Sequence, residues 1–147
     1  MSTFVPKAHT PFQWQGVRPE AEKRLKLLGK RLKPKGIELR PESYGWSVIQ
    51  ALLSRSDRRL APVIAAARGR HESLGGWKQA YRTVRDDGPE TSASMSGELP
   101  APPAWEEVIH ATWSAERVLP WQHLEGPLAP SVLAKHAEVS LTPHQPQ

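Results

Sequence analysis

Along this chain apolar residues recur at helical spacing more often than in alternation. After Pro19, the residues Ala21, Leu25, Leu28 and Leu32 share one face, while Glu20, Glu22, Lys23, Arg24, Lys26, Lys30 and Arg31 cover the rest. That pattern predicts an amphipathic helix with Pro19 at its first position. Glu20 and Arg24, like Glu22 and Lys26, stand four apart in the favourable order, and Pro34-Lys35-Gly36 ends the segment. Gly29 inside it weakens the helix by roughly 1 kcal/mol against Ala without abolishing it. Ser43 is placed to cap a second helix carrying Trp46, Ile49, Leu52 and Leu53. Ser56-Asp57 offers the N-cap of a third with Leu60, Val63, Ile64 and Ala67. Pro62 suits that third segment only within its first turn, where its missing N–H would have lacked a partner anyway. Gly75-Gly76 separates it from a short stripe of Trp77, Ala80, Tyr81 and Val84. Trp105, Val108, Ile109 and Trp113 form another stripe, and Leu133, Ala137 and Leu141 after Pro130 a last one.

Alternation occurs twice. Thr3-Phe4-Val5, cut off by Pro6, and Ile37 with Leu39 between Glu38 and Arg40 predict two short strands. Leu119-Pro120-Trp121-Gln122-His123-Leu124 follows no period and reads as an irregular segment anchored by its Trp. The expected fold class is α+β and mainly helical, with five or six short helices and two short strands. No repeat of 20–50 residues is visible, which argues against a solenoid.

Charge divides the chain unevenly. Residues 1–85 hold 18 Lys and Arg against 6 Asp and Glu, a formal +12, whereas 86–147 hold 2 against 9, a formal −7. Such an asymmetry invites an anionic partner for residues 1–85, or attraction between the two parts. Residues 86–103 have almost no side chain able to enter a core and read as a flexible linker. That divides the chain into a basic region, 1–85, the linker, 86–103, and a small helical segment, 104–147. An apolar run near 18 residues is missing, as is a signal-peptide core behind Met1, so no membrane span or export is expected and the location is cytoplasmic.

Candidate chemistry is narrow. The sequence holds no cysteine, so thiolate-bound zinc and Cys-ligated iron–sulfur clusters are excluded from it. No phosphate-loop, dinucleotide-binding, G-x-S-x-G or H-E-x-x-H motif occurs, which disfavours nucleotide and serine hydrolases. The six His show no spacing that would aim two imidazoles at one metal, so none is expected. Glu106-Glu107 reads as a solvated first turn favoured by the helix dipole. Lys23, Arg24, Lys26, Lys30, Arg31, Lys33 and Lys35 would line one helix and its exit with cations able to follow a phosphate backbone, or simply face solvent. Arg55, Arg58 and Arg59 cluster at a helix start, where cations are unfavourable, which points to a carboxylate or other anion beside them.

The run Phe4-Val5-Pro6-Lys7-Ala8-His9-Thr10-Pro11-Phe12-Gln13-Trp14 resembles a signature of radical S-adenosylmethionine enzymes, in the branch often carrying an upstream cobalamin-binding-type domain. In that family the run follows the core, at the last strand of a partial (β/α) barrel. Gly36-Ile37-Glu38-Leu39-Arg40 resembles the next strand. Leu52-Leu53-Ser54-Arg55-Ser56-Asp57-Arg58-Arg59-Leu60 is similar to its A-x-L-x-R-G-D-R-R-L stretch, with Ser56 in place of Gly. Gly76-Trp77 and Leu119–Leu124, the latter usually L-P-W-D-H-I, match later landmarks. Five matches in order thus span nearly the whole chain. Absent from it are the family's Cys-x-x-x-Cys-x-x-Cys, whose thiolates hold the [4Fe–4S] cluster that reductively cleaves S-adenosylmethionine, and a Cys-rich tail often found after the L-P-W segment.

The resemblance implies a detached C-terminal portion of such an enzyme, from a truncated or split reading frame or as a stand-alone remnant, with a missing or separate N-terminal radical S-adenosylmethionine barrel as its partner, and inactive alone. The cluster, S-adenosylmethionine and, in this branch, cobalamin would belong to the intact family and not to this chain. The two strands would complete the edge of the partial barrel. Phe4 would add to that edge, Pro6 and Pro11 would fix the turn, and Phe12 and Trp14 would pack it. Lys7, His9 and Thr10 would lie nearest the barrel mouth as substrate- or cofactor-contacting groups, with turn stabilisation the other role open to them. Arg55, Asp57, Arg58 and Arg59 would form a salt-bridged helix junction, and Trp121 an anchor. From another class, a basic helical nucleic-acid-binding module also fits the charge pattern.

Overall fold

The computed structural model describes residues 1–70, 73–86 and 99–142. Among them, six α-helices follow in chain order: α1 (Glu20–Leu32), α2 (Tyr44–Arg55), α3 (Ala61–Ala67), α4 (Leu74–Asp86), α5 (Trp105–Ile109) and α6 (Pro130–Leu141). Short 3₁₀ turns at Lys33–Lys35 and Arg58–Leu60 extend α1 and lead into α3. Among the described residues no helix is long and apolar enough to cross a membrane.

The local signals act as their chemistry dictates. Ser43 stays extended and its hydroxyl accepts from the Trp46 N–H, capping α2. The Asp57 carboxylate accepts from the Arg59 N–H at 2.9 Å and so starts the turn into α3. Pro62 falls in the first turn of α3. Gly36, at φ 73°, supplies the left-handed residue that closes the turn after α1. Two details differ. Pro19 is the cap of α1 and not its first residue, and Gly75-Gly76 lies inside α4, where the Ser73 hydroxyl accepts from the Gly76 N–H.

α3 and α4 pack together, and α2 lies against both α4 and α5. Their shared core holds Val48, Ala51, Leu52, Leu60, Val63, Ala80, Tyr81 and Val84, together with Val17 and with Val108 and Ile109 of α5. A second, aromatic core joins Trp14, Trp113, Leu119, Trp121 and Leu133, with Ala134 and Ala137 packed beside it. It ties the N-terminal loop to the segment after α5 and to α6. Of the stretch 86–103 expected as a linker, 87–98 lie outside the described residues; Asp86 closes α4, Pro102 is buried, and the Tyr81 hydroxyl donates to the Pro103 carbonyl at 2.7 Å.

The expectation of an α+β fold with two strands completing a barrel edge is overturned: among the described residues there is no strand. Thr3-Phe4-Val5 and Ile37–Leu39 meet only at their margins. The Met1 amino group donates to the Arg40 carbonyl at 3.1 Å, and the Glu42 N–H donates to the Met1 carbonyl at 2.9 Å. This is the pattern of a single parallel bridge around Pro41, which has no N–H to give. The next step would need residues 42–44 extended, but Tyr44 already begins α2. With no ladder, Ile37 is left exposed and Leu39 instead packs over Gly29 of α1. α1 itself contributes no fully buried side chain.

Candidate functional site

The N-terminal loop is built by short-range hydrogen bonds. The Thr10 hydroxyl donates to the Lys7 carbonyl at 2.8 Å, and the Gln13 N–H to the Thr10 carbonyl at 3.1 Å. His9 takes a left-handed conformation, φ 55°, unusual for a residue with a Cβ. Its N–H donates to Gln13 Oε1 at 3.0 Å, and the same oxygen accepts from Trp121 Nε1 at 2.9 Å. Gln13, 3% exposed, thus links the loop to a residue 108 positions away. A Cβ at Gly126 would overlap the His9 ring, so the segment after Trp121 closes directly on it. Phe4 meets Phe12 edge-to-face at 5.7 Å, and the buried Pro6 offers its carbonyl to the Ser54 hydroxyl at 3.3 Å. Thr10, and Lys7 through its carbonyl, are therefore engaged in the turn, with the Lys7 side chain exposed.

Backbone crossing continues the connection. Trp113 N–H donates to the Trp14 carbonyl at 2.7 Å and Val17 N–H to the Ile109 carbonyl at 2.8 Å. Nδ1 of His110 lies 2.7 Å from the Val17 carbonyl. Gly16 makes this approach feasible, because any Cβ there would strike the His110 carbonyl.

At the end of α2 the Arg55 side chain is only 1% exposed. Its Nη1 donates to the Ile109 carbonyl at 3.1 Å and its Nη2 to the Ala111 carbonyl at 2.9 Å, satisfying the C-terminal end of α5. The guanidinium lies 3.7 Å from the centre of the Trp113 ring, and that of Arg117 lies 4.4 Å from it. Among the described residues no carboxylate pairs with Arg55, and its Nε is buried without a partner. Burial, helped by the neighbouring Arg117 charge, lowers its pKa to about 10. The other two arginines are paired. Arg59 grips Asp57 through Nε at 2.9 and 3.0 Å and Nη2 at 2.7 Å, which holds the Asp57 carboxyl below its usual range. Arg117 Nη2 donates to Glu107 Oε1 at 2.8 Å.

These groups border a cleft of about 560 Å³, with Tyr81, Leu119, Pro120 and His123 on its other walls. Burial pushes the Tyr81 hydroxyl up to about 12, so it remains a neutral donor. Among the described residues no hydroxyl is hydrogen-bonded to an imidazole, and no three His, Asp or Glu side chains gather as a metal site. The cleft offers cationic and aromatic walls suited to binding.

The structure brings Arg55, Asp57 and Arg59 to this cleft beside the Leu119–His123 segment, and puts Trp121 in the aromatic core behind it. Arg58, exposed, borders an adjoining depression with Arg59 and His123. Lys7, His9 and Thr10 do not line the cleft. Sequence reasoning missed Gln13, Tyr81 and Arg117 as parts of a site. A usable signal existed for the burial of Arg55: Val48, Leu52 and Arg55 share one face of α2 at spacings of four and three. A [4Fe–4S] cluster of the family's kind needs thiolates, and this chain has none to give. Compared with known protein families, curated proteins and solved structures, the chain matches none.

Proposed function

We propose that this chain is the C-terminal, non-cluster-binding segment of a radical S-adenosylmethionine enzyme, working with a cluster-bearing barrel encoded on other polypeptide. The observation that carries the reading is the pair of hydrogen bonds on Gln13 Oε1, from Trp121 Nε1 and the His9 N–H. The first and last stretches on which the resemblance rests are thereby joined in one buried contact. The third, Leu52–Leu60, reaches the same surroundings through Ser54 on Pro6 and Arg55 on Trp113. In this reading the chain supplies scaffold and polar contacts, while cluster, S-adenosylmethionine and cobalamin belong to the partner. A cytoplasmic location goes with it, as the compartment that keeps thiols reduced.

The test starts from the coding DNA next to Met1, where a frame encoding Cys-x-x-x-Cys-x-x-Cys is expected. That barrel, produced together with the 147-residue chain, should carry iron and release methionine from S-adenosylmethionine when reduced, and the chain alone should do neither. The reading fails if neighbouring frames lack the motif, or if the isolated chain, reconstituted with iron and sulfide, cleaves S-adenosylmethionine unaided.

A second reading, a basic helical nucleic-acid-binding module, is favoured by α1, which has no fully buried side chain and carries exposed Lys23, Arg24, Lys26, Lys30 and Arg31. Titrating a fluorescent duplex across salt concentrations separates the two. Binding that falls steeply with salt supports the module, and no binding at low salt removes it.

A further inference from the structure

The cleft beside Trp113 holds an imbalance of charge. Three guanidiniums border it, from Arg55, Arg59 and Arg117, and two carboxylates answer them, Asp57 on Arg59 and Glu107 on Arg117. Among the described residues, one positive charge is left over. It sits on Arg55, 99% buried, held by two carbonyls and an indole face. Carbonyl dipoles and an aromatic face offset a buried cation in part, but a full counter-charge does so better. Among the described residues, Arg59 has no hydrogen bond on its Nη1 and Arg117 donates from Nη2 alone, so both have further N–H groups to offer. Val118 and Pro120 line the same cleft beside the nearly buried Tyr81 and Trp113, and its volume lies within the range of small-molecule sites.

We infer that this cleft binds a small molecule through an oxyanion, a phosphate or carboxylate group, seated against Arg59 and Arg117 above the buried Arg55, with an apolar body against Val118 and Pro120. The site does not depend on the radical-enzyme reading, because it stands on groups and space within this chain. A small ligand fits better than a nucleic-acid strand, since the donors lie in a recess and not along the exposed lysines of α1. Burial, and then the Arg117 charge, lower the Arg55 pKa, and an anion in the cleft would act against both.

The experiment titrates the full chain with inorganic phosphate, phenyl phosphate and benzoate, following tryptophan fluorescence against sodium chloride at matched ionic strength. A saturable change is expected with at least one of the aryl ligands, at roughly tenfold lower concentration than with inorganic phosphate, because the ring adds buried apolar area. Phenyl phosphate alone would mark a phosphate site and benzoate alone a carboxylate site; either result supports the proposal. Arg117→Gln should weaken binding about tenfold, the scale of one charge-assisted hydrogen bond. Asp57→Asn, which keeps a capping side chain but frees Arg59 and removes a negative charge, should tighten it several-fold. Urea midpoints confirm that each variant is folded. The gain in Asp57→Asn keeps the test decisive even where loss of Arg117 disturbs Trp113. No saturable response beyond chloride, or Asp57→Asn binding no better than the parent chain, overturns the inference.

Discussion

Replacing Arg55 by Met keeps the aliphatic stem and removes the guanidinium with its charge and its five N–H groups. The partly buried Ala111 carbonyl then loses its donor, and the Ile109 carbonyl keeps only the Val17 N–H. The stranded carbonyl costs about 1–3 kcal/mol, the second bond at Ile109 about 1 kcal/mol, and the lost stacking on Trp113 about 2 kcal/mol more in a desolvated setting. Against this, burying the guanidinium is itself unfavourable. Its fall to about 10 corresponds to roughly 3 kcal/mol that Met would no longer spend. The loss outweighs the relief, and Arg55→Met is expected to destabilise the chain by about 2 kcal/mol, a drop in Tm of roughly 4–8 °C at this size. Urea unfolding at pH 7, followed by circular dichroism, gives the number. Arg55→Lys separates charge from shape: a lysine keeps the cation but cannot bridge two carbonyls with a flat group, so it should be at least as damaging. An Arg55→Met chain as stable as the parent, or more so, would mean that buried charge dominates and that the carbonyl bridge carries little, refuting the argument.

Trp121→Phe deletes the hydrogen bond to Gln13 while filling most of the same space, and about 1–2 kcal/mol should be lost in the same assay. Gly16→Ala puts a methyl group into the His110 carbonyl and should cost about 3 kcal/mol, whereas Gly69→Ala, where only φ 81° opposes the change, should cost about 1 kcal/mol. Because Arg59 holds the folded Asp57 carboxyl below its unfolded value, the stabilisation it gives is fully present above about pH 4 and is lost as pH falls through the folded pKa. Urea midpoints taken from pH 7 to pH 3 should therefore decline less steeply for Asp57→Asn than for the parent chain.

The helices were legible where a cap and a stripe agreed. Ser43, Asp57 and the first-turn Pro62 act through the nearest backbone, so their effects are written in a few consecutive residues. The faces of those helices were less legible. On α2 the stripe ending in Trp46 and Leu53 is half exposed, Trp46 at 47%, while Arg55 is buried. Rotating the buried face toward Val48, Leu52 and Arg55 is a decision of packing against α4 and α5, which no local pattern records. The strands failed for a related reason. Their alternation was real, but a strand needs an extended partner on both sides of its first bridge, and two residues past Glu42 the neighbour turns into α2. Within the site, Asp57 and Arg59 stand two apart and could be read together. Gln13 with Trp121, and Arg55 with Arg117, are joined only by the fold.

The contact between Gln13 and Trp121 also sets a schedule for synthesis. Closing a loop of this length costs on the order of 4 kcal/mol of chain entropy before its contacts repay anything. On a ribosome adding about 5–20 residues per second, Gln13 and Trp14 emerge and then wait roughly 5–20 seconds for Trp121 to join them. During that interval a nascent chain with uncovered aromatics and a strongly basic surface is exposed to whatever is nearby. An early-bound chaperone, or a polyanion resting on α1, would shield it until the last third of the chain arrives.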